Sequence, residues 1–455
     1  MKKIIPALVL VFVLSFACAC NDGGAIVSSD LASSTPAREE SSTVETSSVK
    51  VETESSEENT SSLSASDASS EPKPKFEKLS EKYSAKASVQ SVSLSGATSK
   101  SAAGFSYELF KNSYANDKNV ILSPISALSA LSMAVNGAEG QTLSQMEAAL
   151  GADRDTLNRY LYSYRKSLSN DTFLLSQSVW LKNGVNPSDE FMQANADYHE
   201  ADVFSVAMDN DTVNKINDWT SEKTRGEIKR LIDSIDSSTA CCLVNATIFE
   251  AKWHTPYTDK NIKKFPFNNA DSSITPAEYL FSQENKYISG DGYCGFVKYY
   301  DDYRYAFAAF LPDSNSSLTA LINSLDGEEL INAVTNAEMV TVEALMPTFK
   351  TEFATSLVPS LKKMGMNNAF SSSTADFSKI CKPCWISDIF QKAKIEVTRY
   401  GTKAAAATIV LKPGAAPPNA SKEIKYVTLD RPFLYAIIDT EADLPIFIGT
   451  TSYIK

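Results

Sequence analysis

Apolar and polar positions alternate in several ways along this chain, and each way predicts a different kind of element. Near the start, Ile4 to Ala17 is a short apolar run behind Met1-Lys-Lys3. It has the basic opening and length of an export signal and is too short to span a bilayer comfortably. From Asn21 to about Gly96 there is no apolar period. Segments such as Ser41-Ser-Thr-Val-Glu-Thr-Ser-Ser48 and Glu54-Ser-Ser-Glu-Glu-Asn-Thr-Ser61 are built from Ser, Thr and Glu, a composition that cannot bury a core. As a flexible coil, roughly 75 such residues span about 50 Å, or up to about 250 Å pulled straight. Periodicity resumes with Phe105, Leu109 and Phe110, at helical spacing within Ala103 to Asn116. Asn119-Val-Ile-Leu122 is a brief apolar strand entering a helix whose first turn holds Ser123, Pro124 and Ser126, residue types suited to helix starts. Gln141 to Leu150 is a further amphipathic helix, which Gly151 ends.

A third pattern lies near the C-terminus, in Tyr400-Gly-Thr-Lys-Ala-Ala-Ala-Ala-Thr-Ile409. On propensity alone the four-alanine run is a helix end followed by a surface loop. Read at period two, however, Thr402, Ala404, Ala406, Thr408 and Val410 form one small, mostly apolar face, and Lys403 points the other way. Such a strip fits into a sheet as a late strand. The following Lys412-Pro-Gly-Ala-Ala-Pro-Pro-Asn419 is rich in turn formers, and its prolines would stop pairing in a central strand. The stretch therefore reads as a hinge and then an exposed loop.

Composition narrows the function. The net charge of −12 over 455 residues argues against nucleic acid, which needs massed Lys and Arg. The only histidines, His199 and His254, have no zinc-binding spacing, and there is no phosphate-binding glycine loop or nucleophile elbow. No cofactor, metal or catalytic constellation is expected, so the chain does not read as an enzyme. Cys241, Cys242, Cys294, Cys381 and Cys384 are odd in number and make no complete disulfide set. Cys381-Lys-Pro-Cys384 is expected as a local disulfide or as two free thiols. Phe16-Ala-Cys-Ala-Cys20 resembles the cleavage region of bacterial lipoprotein signals, with Cys20 as the lipid-bearing thiol and Cys18 the second choice. The expected organisation is a signal over residues 1–20, a disordered tether over 21–96 and one folded domain over 97–455.

That folded region resembles the serpin family. The likeness rests on Asn119-Val-Ile-Leu-Ser-Pro-Ile-Ser126 leading to Gly137-Ala-Glu-Gly140, on Ser178-Val-Trp-Leu181, and on Ile216-Asn-Asp-Trp-Thr-Ser-Glu-Lys-Thr-Arg-Gly-Glu-Ile228. Leu243-Val-Asn-Ala-Thr-Ile-Phe-Glu-Ala-Lys-Trp253 is the most specific block. Phe310-Leu-Pro-Asp313, Met346-Pro-Thr-Phe349, Leu361 to Phe370, Asp430 to Ile437 and Phe447-Ile-Gly449 follow in order. The resemblance implies an α+β serpin fold of three β-sheets, about eight or nine helices and an exposed reactive-centre loop. It further implies a suicide-substrate inhibitor of serine endopeptidases: the protease cuts the loop, and the cut strand inserts into the central sheet before the acyl-enzyme is hydrolysed.

On that reading Gly401, Thr402, Lys403, Ala404, Ala405, Ala406, Ala407 and Thr408 are the hinge. A strand from Thr402 to Ala415 covers roughly 46 Å at about 3.3 Å per residue, which sets the scissile bond at Ala415-Ala416. Alanine before that bond suits a small, elastase-type pocket. Gly414-Ala415 is the nearest rival, and Leu411-Lys412 would suit a chymotrypsin-like enzyme. The resemblance assigns Ser123, Ser126 and Asn245 to the gate of the central sheet, with Gln391 where the family has histidine, and Trp253 beneath the insertion point. Arg399-Tyr400 stands where many members have Glu-Glu, and Thr348 where a partner lysine is usual. The expected molecule is a monomer on the outer cell surface, held to the membrane by its lipid. The alternative is a non-inhibitory surface protein that uses the same body for binding.

Overall fold

The computed structural model of the chain describes residues 8–17, 76–79, 82–86, 89–116, 118–168, 172–402 and 423–454. In chain order the elements begin with β1 (Leu8–Ala17), β2 (Glu77–Lys78), α1 (Ala97–Ser113), β3 (Ile121–Leu122), α2 (Pro124–Val135), α3 (Gly140–Leu150) and α4 (Arg154–Ser167). Next come β4 (Phe173–Lys182), α5 (Asp189–His199), β5 (Asp202–Val206), α6 (Asn210–Lys223), β6 (Thr239–Phe249) and β7 (Ala251–Lys252). Strands β8 (Ile262–Asn268), β9 (Ile274–Gly290), β10 (Tyr293–Tyr299) and β11 (Tyr305–Pro312) precede α7 (Leu318–Ser324) and α8 (Gly327–Thr335). The last third holds β12 (Glu338–Pro347), β13 (Phe349–Ser356), α9 (Val358–Lys363), β14 (Trp385–Thr398), β15 (Gly401–Thr402), β16 (Ile424–Thr428), β17 (Phe433–Asp439) and β18 (Leu444–Thr451).

Helix boundaries follow local chemistry. Pro124 opens α2, where its missing N–H costs nothing. Gly151, at φ 79°, ends α3 in the left-handed region that glycine enters without penalty. Asp153 caps α4 by accepting from the Thr156 amide at 2.9 Å. All twelve residues of α2 are buried, so this helix runs through the core.

Two hydrogen-bonded sheets organise the rest. The central sheet has the order β2-β5-β4-β6-β1-β14-β15-β7, with β13 added on β14. The other has the order β16-β12-β9-β10-β11-β17-β18-β3, with β8 added on β9. The 17-residue β9 joins what would otherwise be two sheets: its earlier residues pair with β8 and β12, and its last four pair with β10. With nine helices among the described residues, the fold is α+β.

All eleven residues of β6 are buried. Its core face rests on α2, and its other face packs Cys242, Val244 and Ala246 with Ile216 and Trp219 of α6. Pairing also extends N-terminal of Ala97: Glu77 and Lys78 bond to β5, and Phe76 stacks on Phe204 at 5.7 Å. The described residues belong to one compact unit comprising Met1–Ala19 and Pro74–Lys455.

Under α4 and α5 lies a buried polar knot. His199 Nε2 is 3.0 Å from Asn158 Oδ1, and Asn158 Nδ2 donates to Asn136 Oδ1 at 2.8 Å. Burial, reinforced by the nearby Arg165 charge, lowers the His199 pKa from 6.5 to about 3. Between those values the unfolded chain binds a proton that the folded one refuses, so stability falls as pH drops below about 6.5. The decline should approach about 1.4 kcal/mol per pH unit. His199→Gln keeps a donor for Asn158 and should lose about 2 kcal/mol less than the native chain between pH 7 and pH 5. Urea unfolding at the two pH values measures it, and equal losses would remove His199 from the account.

Candidate functional site

The site is the place in the central sheet between β6 and β14. Both strands run in the same direction and do not pair with each other. Each pairs instead, antiparallel, with the strand lying between them, β1. The run expected as an export signal is therefore the occupant of that place in this structure. Its pairs extend from Leu8 opposite Phe249 to Ala17 opposite Thr239 on one side, and from Val9 opposite Lys394 to Ala17 opposite Trp385 on the other.

At the upper end of β14 the chain turns back through Gly401 and Thr402. These pair with Thr398 and Val397 on one side and with Lys252 and Ala251 on the other. Gly401 has φ 148°, and a Cβ there would stand 2.1 Å from the Ala251 carbonyl oxygen. Only glycine permits that approach. Thr402 is fully buried, and its hydroxyl lies 2.6 Å from the Tyr300 hydroxyl. Burial pushes the Tyr300 phenol well above its ordinary pKa, against the lowering effect of the Thr402 bond, so the pair stays neutral. Trp253 stacks on Tyr300 at 4.6 Å and donates through Nε1 to the Thr398 carbonyl at 2.9 Å. Its backbone N–H donates to Tyr400 O at 3.0 Å. The turn thus rests on an aromatic platform.

Beneath the platform Lys298 and Glu284 form a buried ion pair at 2.7 Å. The Lys298 ammonium also lies 4.6 Å from the Tyr257 ring centre and 5.5 Å from that of Trp253. Burial disfavours its charge, but Glu284 and Tyr257 outweigh burial and hold its pKa above the ordinary value.

Midway down the sheet, one row crosses all the central strands. Gln177 of β4 faces Asn245 of β6, Asn245 faces Phe12, Phe12 faces Gln391 of β14, and Gln391 faces Thr355 of β13. Asn245 Oδ1 accepts from Ser126 Oγ at 2.6 Å and from Thr247 Oγ1 at 2.9 Å. The Gln391 amide grips the start of α2, donating to Ser123 O at 3.1 Å and accepting from Ser123 N at 3.3 Å. Gln177 bonds Ser129 in the next turn of α2. Asn245 Nδ2 and Ser123 Oγ are buried without a protein partner. The row is a polar latch between helix and sheet, with one donor, Asn245 Nδ2, unused.

A strand slot in a mainly buried sheet, a glycine-based turn at its mouth and a polar latch at its middle are the parts of one known family. The family model described as Serpin (serine protease inhibitor) matches residues 99–454. The chain is a serpin. It is 31% identical to human Serpin B8 over 376 residues, covering 76% of this chain and 97% of that protein. It is 28% identical to the uncharacterized serpin-like protein TK1782 of Thermococcus kodakarensis, covering 76% and 83%. The crystal structure of the thermophilic serpin tengpin in its native state matches with TM-score 0.76 and 37% identity, over 83% of this chain and all of that one. Serpins are in general inhibitors of proteases and not enzymes.

Ser123, Ser126, Asn245 and Gln391 come together at the latch, and Trp253 joins Gly401 and Thr402 at the mouth. Lys403, Ala404, Ala405, Ala406, Ala407, Thr408, the Ala415-Ala416 bond and Cys20 lie outside the described residues. The departures at the mouth leave no buried charge without a partner: Arg399 pairs with Asp259 at the surface, and Thr348 bonds Glu278 O through its amide at 2.8 Å. Sequence reading missed Thr247, Gln177 and Ser129 at the latch and Tyr300, Lys298 and Glu284 at the mouth. Only Thr247 carried a signal, as the second polar residue at period two beside Asn245. Cys381 and Cys384 form a local disulfide. Cys241 and Cys242 are buried thiols, with Cys242 pushed up to about 12 by burial, so neither is poised as a catalytic nucleophile. Among the described residues no His, Cys, Asp or Glu group could hold a metal.

The latch makes a stability prediction. Asn245→Ala removes the acceptor shared by two buried hydroxyls, those of Ser126 and Thr247, and each orphaned group costs about 1–3 kcal/mol. Thermal and urea unfolding should show a loss of about 2 kcal/mol or more. A loss below about 0.5 kcal/mol would mean that the latch does not hold α2 to the sheet.

Proposed function

We propose that this serpin is an irreversible suicide-substrate inhibitor of serine endopeptidases, of elastase type, displayed outside the cell on a lipid-anchored tether. One observation carries the reading: the place between β6 and β14 takes a ten-residue strand antiparallel to both neighbours, which is the polarity of a loop leaving β14 through the Gly401 turn. The protease serine attacks the carbonyl of Ala415, the amine of Ala416 leaves, and the loop remains bound to the enzyme as an ester. The freed strand then enters the slot, carrying the protease along before water reaches the ester.

Register supports the choice of hinge. Continuing the pairing of Thr402 with Val397 residue by residue sets Ala404 opposite Ile395, Ala406 opposite Ala393 and Thr408 opposite Gln391. Thr408 would then enter the polar row beside Asn245, whose Nδ2 lacks a partner, and a hydroxyl can accept from it. Insertion adds backbone hydrogen bonds along both edges at about 1 kcal/mol each. The driving force is on the order of 10 kcal/mol before ordering costs.

Cys20 supplies the expected membrane anchor, and the acidic, aromatic-poor part of the expected tether that precedes Phe76 holds the body away from the surface. A small residue before the scissile bond favours an elastase-type target over a chymotrypsin-like one.

Mixing the chain that begins at Asn21 with an elastase-type serine protease should give a 1:1 complex that survives denaturant, and release a C-terminal peptide beginning at Ala416. Cleavage without any complex would favour a non-inhibitory binding protein. Thr408→Arg requires a charge to enter the sheet. It should leave loop cleavage unchanged and lower the trapped fraction at least tenfold, as read by the ratio of complex to cleaved chain. Unchanged trapping would refute the inward register.

A further inference from the structure

β1 does more than mark where a strand can go. Its residues are those expected to leave with the export signal, yet they are built into the central sheet of the molecule. Leu14 and Phe16 are fully buried in the main core, and Phe16 meets Phe377 edge-on at 4.9 Å. Val13, on the opposite face, joins Trp180, Val244 and Trp219 beneath α6. Ser387 Oγ donates to Ser15 O at 3.0 Å, and Ser15 Oγ lies 3.8 Å from Cys242 Sγ. Apolar contacts on both faces and ladder bonds on both edges are the environment of a central strand.

The leader and the reactive loop claim the same backbone groups. Leu10 pairs with Ala393 and Phe12 with Gln391, the two positions that the loop register above assigns to Ala406 and Thr408. Two strands cannot share one place in a sheet, so occupancy by the leader excludes insertion of the loop.

We propose that residues 8–17 are an intramolecular plug: a copy of this chain that folds with its leader attached closes its central sheet with β1, and cleavage before Cys20 releases the slot. Removal of the leader is then the activating step as well as the exporting one. While attached, the leader competes as a tethered segment; once cut it loses that advantage, whereas the loop remains tethered. The row at Asn245 favours exchange, because Phe12 holds the place where the loop brings Thr408, a hydroxyl for the unpartnered Nδ2. The activating consequence rests on the proposed inhibition, whereas the plug itself does not.

Ser15→Cys places a thiol opposite the natural Cys242. The full chain of residues 1–455 with this change, made without export and treated with a mild added oxidant such as diamide, should form a disulfide between residues 15 and 242. The two thiols lose their hydrogens to the diamide, and non-reducing peptide mapping reads the link. Adding Leu14→Asp should reduce the link at least tenfold, because a carboxylate cannot be buried there. Amide exchange in 241–249 and 386–394 should be at least tenfold slower in the unaltered full chain than in the chain beginning at Asn21. The full chain should also give less than one tenth of the protease complex. Absence of the link together with equal exchange overturns the plug. If the chain beginning at Asn21 traps no protease while link and slow exchange persist, the inhibitory reading fails and the plug stands.

Discussion

The backbone edges of β6 and β14 that face each other across one strand's width are the constraint on which this molecule depends. Their N–H and C=O groups lie deep in the sheet, where an unpaired amide costs about 1–3 kcal/mol. They can be satisfied by an inserted strand or by the two parent strands closing on each other, and each solution is a different global state. In the structure β1 provides the first solution along its whole length. A sheet with such a choice is a two-state element, and whatever supplies the third strand sets which state is lower in free energy.

The latch decides how readily the choice is made. Asn245, Gln177 and Gln391 bond Ser126, Ser129 and Ser123 at the start of α2, so strands β6, β4 and β14 are each fastened to one helix, and these bonds are present with β1 standing between β6 and β14. Gln391 presents an amide that meets both the N–H and the C=O of Ser123. No proton enters or leaves there, so the gate has no titrating group of its own. The histidine whose pKa burial lowers, His199, lies elsewhere, under α4 and α5.

Much of the fold was legible because its signals are local. Asn119 to Gly140 gave a strand and a helix start through Ser123 and Pro124, and Gly401 announced a backbone position that no other residue fills. The strand character of Leu8–Ala17 was not legible. A signal's apolar stretch and a central strand buried on both faces have the same composition, and only partners more than two hundred residues away tell them apart. Lys298 and Glu284 escaped for a similar reason: each is an ordinary charge in its own strand, and the pair exists only once β9 and β10 are laid side by side. The pairing of Glu77 and Lys78 with β5 was hidden by surroundings that lack any core-forming composition.

The same distinction explains how the mouth of the slot tolerates its departures from the family. Where a glutamate at the base of the loop would meet a lysine, this chain has Arg399 on the surface with Asp259 and Thr348 bonded to backbone. One layer inward, beneath Trp253, Lys298 and Glu284 form an ion pair. A pair that includes a loop residue must break or shift when the loop moves, whereas a pair wholly within β9 and β10 stays intact. The cation also stabilises the electron-rich faces of Trp253 and Tyr257, which fixes the surface on which Tyr300 and Thr402 meet. The turn at Gly401 is then supported from below by residues that never enter the slot. Thr402 lies bonded between Val397 and Ala251, where the proposed strand entry would begin.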